Sequence, residues 1–208
     1  MAFTATGPLP PGMLPGDQAR DAYEYNPEKA KRLLAEAGYP NGFAAKIMTS
    51  EQPQRVAGAE AVMGFLGAVG IRLQIEVLDV TGMRARQVQG KFDWYYANSG
   101  GEGHPLTFLQ RAFHSRYLGS GGNWTHYRNP VVDQLLDRAA DARDVETMTR
   151  LVREAEKAVF ADAVWGFVSY NKGVLVNQPY VRGLRATAID MDWPPLEEVW
   201  LAWAPKRR

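Results

Sequence analysis

Residues 25–43, YNPEKAKRLLAEAGYPNGF, constrain this chain more than any other stretch, because they mark both ends of a single helix. Asn26 is placed to accept an N–H from the first turn. Pro27 brings a preset φ to a position where a missing N–H costs nothing. Glu28 lies at the positive end of the helix dipole. Ala30, Leu33, Leu34 and Ala37 fall at i, i+3, i+4 and i+7 and form one apolar stripe. Gly38 suits the left-handed residue just past the end, and Pro40 stops continuation. Asn41 and Gly42 then turn the chain into an extended segment that begins at Phe43.

Similar punctuation recurs downstream. Residues 1–24 contain Pro8, Pro10, Pro11 and Pro15 and read as an extended crossing segment with little regular structure. A strand is predicted over 43–49. Pro53 starts a second helix, whose stripe of Val56, Ala59, Met63 and Leu66 is widened by Val62, Phe65 and Val69. So wide an apolar face predicts a well-buried helix. Gly70 ends it. Ile71, Leu73, Ile75 and Val77 alternate with polar residues, the pattern of a half-buried strand. Asp79 or Thr81 caps a short helix to Gln89, and a strand follows over 92–97. Residues 98–104 are a glycine-rich loop, 105–113 a short helix and 114–127 a polar loop. Asn129 and Pro130 open another helix. Asp144 caps the longest one, striped by Met148, Leu151, Val152, Ala155 and Val159. Residues 165–170 and 173–176 read as a strand pair, and 181–208 as an irregular end. Strands alternating with helices predict an α/β fold with a mixed sheet flanked by helices.

With 208 residues the chain suits one large domain or one lobe of something larger. Its net charge of +1 offers no footprint for nucleic acid. The absence of cysteine removes disulfides and thiolate metal sites. No apolar run is long enough to span a membrane, and the N-terminus lacks the basic start and apolar core of a signal peptide. His104, His114 and His126 match no metal-binding spacing, so neither a metal nor a cofactor is expected. No nucleophile elbow is present. Asp190 and Asp192 are the nearest thing to paired catalytic carboxylates, and an exposed polar loop explains them better. The reading is therefore not an enzyme.

The block 25–43 closely resembles a segment of the family 5 extracellular solute-binding proteins, the oligopeptide- and dipeptide-binding components of bacterial ABC importers. In that family a helix of the same form opens the second lobe. Gly70-Ile71 before an alternating strand, Gly90-Lys91-Phe92-Asp93, Tyr127-Arg128-Asn129-Pro130 and Val132-Asp133-Gln134-Leu135-Leu136 are similar to family words in family order. The resemblance implies a type II periplasmic-binding-protein-like lobe. Its expected divisions are a crossing segment over 1–24, the α/β lobe over 25–180 and the irregular segment over 181–208. It also implies a small solute (peptide, sugar, opine or chelate), an ABC permease as partner and a periplasmic or extracytoplasmic location for the intact protein. Family members are more than twice this length and carry a signal and a first lobe. The chain is accordingly read as a C-terminal part. If half of a micromolar site, worth about −8 kcal/mol, belongs to a missing lobe, the chain alone should bind at roughly millimolar strength.

Ligands of open α/β sheets approach the carboxyl ends of strands, which singles out the loop after residues 92–97. Asn98, Ser99, Gly100, Glu102 and His104 are its candidate contacts. The glycines allow close backbone approach. Many peptide-binding members hold an acidic residue here that pairs with the peptide ammonium. That aspartate does not align, and Glu102 is a displaced substitute. Asn123, Trp124 and Tyr127 form the second group, since Trp and Tyr give rigid contact area with a polar handle. Both loops also have a plain structural reading, as a connector and as a pinned loop. A stand-alone interaction domain, dimerising through an exposed cleft face, and a small hydrolase are the rival functions.

Overall fold

The computed structural model describes residues 2–15, 23–99, 103–171, 174–185 and 196–202. It separates into two compact units, one of Met1–Ala22, Gly100–Leu109 and Leu135–Arg208, the other of Tyr23–Ser99 and Gln110–Gln134. The boundaries drawn from sequence at residues 24 and 180 divide the chain differently. The helices Pro105–Phe113 (α4) and Pro130–Ala140 (α5) each contribute residues to both units.

The second unit begins its fold at α1, Pro27–Glu36. Asn26 caps α1 as its sequence requires, its side-chain oxygen accepting the Lys29 N–H at 2.9 Å. Gly38 takes the left-handed conformation at φ +90°. Strand β2, Ala44–Ser50, lies between β3, Arg72–Leu78, and β4, Trp94–Tyr96, and both pairings are parallel. Helix α2, Pro53–Gly67, connects β2 to β3, and α3, Val80–Gln89, connects β3 to β4. Successive residues of a strand face opposite sides. Ile47, Met48, Thr49 and Ser50 are all buried, so β2 is covered on both faces.

Two glycines set the close approaches of this unit. Gly42 sits at φ +69°, and a Cβ there would strike the Gly70 carbonyl oxygen. A Cβ on Gly58 would lie 2.5 Å from the Tyr96 ring, so the missing side chain lets α2 press onto β4.

The apolar stripes are less covered than their periodicity predicts. Helix α1 buries none of its residues, and Leu33 is 50% exposed. Helix α2 was expected to be well buried, yet Ala59 is its single buried residue and Phe65 is 62% exposed. The cause is geometric. Apolar residues surround α2 on most sides, but the sheet covers only the side that carries Gly58 and Ala59.

The first unit is organised by α6, Val145–Ala161, which Asp144 caps by accepting the Thr147 N–H at 2.7 Å. Its stripe buries Leu151, Val152, Ala155 and Val159, as the spacing predicts. Strand β5, Ser169–Asn171, does not pair with residues 174–176, and Gly173 lies outside the described residues. The strand pairs antiparallel with β1, Ala2–Thr4. The proline-rich segment after β1 lacks regular structure but is firmly held. Tyr170 Oη lies 2.8 Å from each of the Gly7 and Leu9 carbonyls, which share its single proton, and accepts the Thr6 N–H at 3.3 Å. Leu9 N–H donates to buried Glu156, and Leu9 and Leu14 are themselves buried. A short antiparallel pair of β6, Val181–Arg182, and β7, Trp200–Leu201, occupies part of the end predicted to be irregular.

Candidate functional site

Asn98 and Ser99 follow β4 and are exposed. They stand at the carboxyl edge of the parallel sheet, the edge at which α3 starts. Gly100 and Glu102 lie outside the described residues, as do Asp190 and Asp192. His104 is exposed just before α4 and belongs to the first unit.

Asn123, Trp124 and Tyr127 form one connected group in the second unit. Two short 3-10 turns, Ser115–Tyr117 and Gly119–Gly121, lead into it. Asn123 is fully buried, and its amide is occupied by the loop itself. Its Nδ2 donates to the carbonyls of Tyr127 at 2.8 Å and His114 at 3.3 Å. Its Oδ1 accepts the Tyr127 N–H at 3.1 Å and the Thr125 hydroxyl at 3.2 Å. Two donated and two accepted hydrogen bonds use everything one amide offers. Asn123 therefore shapes the loop, and its side chain faces no solvent in this conformation.

That loop lies along α3. His126 Nε2 is 3.0 Å from the Gln87 carbonyl in the last turn, with His126 itself at φ +56°. Trp124 meets the middle of the helix, where the Arg84 guanidinium carbon stands 3.6 Å from its ring centroid. Tyr127 packs edge-on against Phe113 at 6.1 Å between centroids. Both aromatic residues are half-buried, so each keeps an open side. On the same side of the sheet, Tyr95 of β4 packs edge-on against Phe92. Burial pushes the Tyr95 phenol up to about 12, against the opposing pull of the Arg84 charge, so it is a neutral O–H donor at physiological pH.

Sequence reasoning missed Arg84. A lone arginine within a helix carries no signal, and its partner Trp124 is far along the chain. Tyr95 is half-buried on β4, and nothing in the sequence marks its hydroxyl.

Elsewhere a charged cleft of about 380 Å³ opens towards the amino end of β4. None of the predicted site residues lines it. Its wall carries Glu76, bridged by Lys46 Nζ at 3.2 Å and by Arg86 Nη1 at 2.6 Å. Those two cations hold the Glu76 carboxyl below its usual range, Lys46 contributing most. His114, Asp133 and Ser115 also cluster, but in an order unsuited to a hydrolase. Ser115 Oγ donates to Asp133 Oδ2 rather than to His114, whose ring is 4% exposed. Among the described residues no group of three side chains is arranged to hold a metal ion. No helix among them is long and apolar enough to cross a membrane.

The fold has counterparts among periplasmic binding proteins. The fold matches the ABC transporter-associated periplasmic binding protein DppA from Helicobacter pylori, solved with the peptide STSA, with a TM-score of 0.84 and 26% identity. That match covers 97% of this chain and 40% of the other. Residues 1–120 match the family described as bacterial extracellular solute-binding proteins, family 5 middle, and the chain belongs to that family. It is 30% identical to heme-binding protein A of Haemophilus influenzae, over 86% of this chain and 34% of that protein. It is 32% identical to the glutathione-binding protein GsiB of Escherichia coli strain K12, over 79% of this chain and 33% of that protein. The chain thus spans about a third of the length of these curated relatives.

Proposed function

We propose that this chain forms part of the solute-capturing component of an ABC importer that works outside the cytoplasmic membrane. Its solute is a peptide or another small molecule, and the complete protein hands it to a membrane permease. The observation that carries this reading is the family match over residues 1–120, joined to a fold shared over nearly the whole chain. Named relatives bind heme, glutathione and a peptide, so the ligand class is small and organic.

Within the chain, solute contacts come from Asn98 and Ser99 at the sheet edge and from the open sides of Trp124 and Tyr127. Gly100, Glu102 and His104 are carried as further contacts of the same loop. Asn123 acts through the shape it gives the Trp124 loop. Binding of this kind needs no covalent step. It needs rigid aromatic area and a few polar groups whose hydrogen bonds are completed by the ligand.

Isothermal titration with di- and tripeptides, glutathione and heme tests the reading. The expected result is saturable binding of one class, weakened roughly tenfold by Trp124→Ala. A folded chain that binds none of them at concentrations up to about 10 mM overturns it.

A further inference from the structure

We infer that Arg84, stacked on Trp124, is a carboxylate-recognition subsite that makes this chain prefer solutes bearing a free carboxylate. The inference rests on the solute-capture reading and names the chemistry of its ligand.

The geometry that carries it is the guanidinium lying over the indole with its carbon 3.6 Å from the ring centroid. Stacking occupies the face of the guanidinium. Its N–H donors point outward in the plane and stay available for a bidentate carboxylate. Among the described residues no carboxylate or carbonyl engages those donors, in contrast to neighbouring Arg86, which is bound to Glu76. Arg84 is exposed, so a ligand can reach it.

The platform is fixed beforehand. Trp124 follows Asn123, whose buried amide makes four hydrogen bonds within the loop. Two residues further on, His126 is tied to the end of the same helix that carries Arg84. An arginine already restrained on a rigid ring loses less freedom when it binds than one waving in solvent. Tyr95 adds a second donor on this side of the sheet. Its hydroxyl has no partner among the described residues, and it feels the charge of Arg84. A cation and a neutral O–H donor suit a carboxylate, which accepts through two oxygens.

The test uses N-acetyl-alanyl-alanine, which has a carboxylate and no ammonium, beside its C-terminal amide. Binding is followed through the Trp124 indole N–H resonance, assigned with Trp124→Phe. The expected result is that the acid binds at least tenfold more tightly than the amide and shifts that resonance. Arg84→Gln should bring the two within twofold, while Arg84→Lys keeps part of the preference. Because Arg84 is exposed, both variants should keep the wild-type circular dichroism spectrum. Equal binding of acid and amide by the wild type overturns carboxylate selection and leaves solute capture standing. Retention of the preference in Arg84→Gln overturns the assignment to Arg84. Inorganic phosphate displacing the acid at equal concentration overturns selectivity for a carboxylate. Failure of both probes to bind a chain that still captures glutathione, heme or an unblocked peptide overturns this inference and leaves solute capture standing.

Discussion

Single residues fix this fold most tightly where one side chain does several jobs. Asn123 is the clearest case, since it closes the Trp124 loop from inside. Asn123→Ala leaves the Tyr127 backbone groups and the His114 carbonyl without their partner. The expected cost is about 3 kcal/mol, read by chemical denaturation. Asn123→Asp should be nearly as damaging, because a carboxylate cannot donate to those two carbonyls. A milder aspartate variant would show that the accepting oxygen alone holds the loop. Gly42 and Gly38 separate backbone conformation from space. Both have positive φ, but a Cβ meets nothing within 4 Å at Gly38 and strikes the Gly70 carbonyl at Gly42. Gly38→Ala should cost about 1 kcal/mol, the usual penalty of the left-handed region. Gly42→Ala should cost clearly more in the same denaturation experiment.

At the scale of elements, helix starts were legible and tertiary cover was not. Asn26, Asp79, Asn129 and Asp144 all accept an N–H from the first turn they precede, because capping is local chemistry written in neighbouring residues. The partner of β5 could not be read locally. Ser169–Asn171 pairs with Ala2–Thr4 from the opposite end of the chain, and no short-range pattern reports that. In the site, Trp124 and Tyr127 were legible as aromatic residues in a polar loop. The burial of Asn123 and the contact of Arg84 depend on how α3 and the loop meet. Charge across elements gives a pH prediction. Glu76 of β3 binds Lys46 of β2 and Arg86 of α3, and its pKa lies below its ordinary 4.5 in the folded state. The unfolded chain then takes up this proton at a higher pH than the folded one. The contribution of Glu76 to stability is fully present above about pH 4.5 and is lost as the pH falls through the depressed value. Thermal melts should show a midpoint that drops on acidification below that point, with a shallower drop in Glu76→Gln. An unchanged slope in the variant would assign the acid sensitivity to other carboxylates.

Over the whole molecule, the imbalance between apolar patterning and cover has a consequence in solution. Isolated exposed apolar residues are normal on any protein surface. Here they meet each other: Tyr25, 71% exposed, packs edge-on against Phe65, 62% exposed, at 5.8 Å between centroids. Leu33 of α1 is also half exposed. Adjacent exposed apolar groups make a surface that gains by leaving water, so the chain should associate with itself as its concentration rises. Phe65 contributes little to folding, because most of its ring is already in solvent. Phe65→Ser should therefore move stability by no more than about 0.5 kcal/mol, the range of surface substitutions. In a chain of this size that is a change of about 1–2 °C in Tm. Sedimentation velocity over a concentration series should show upward drift for the wild type and a flatter response for Phe65→Ser. Drift that survives the substitution would place the adhesive surface elsewhere. A wild type that sediments as a monomer throughout would show that the Tyr25–Phe65 contact satisfies the surface on its own.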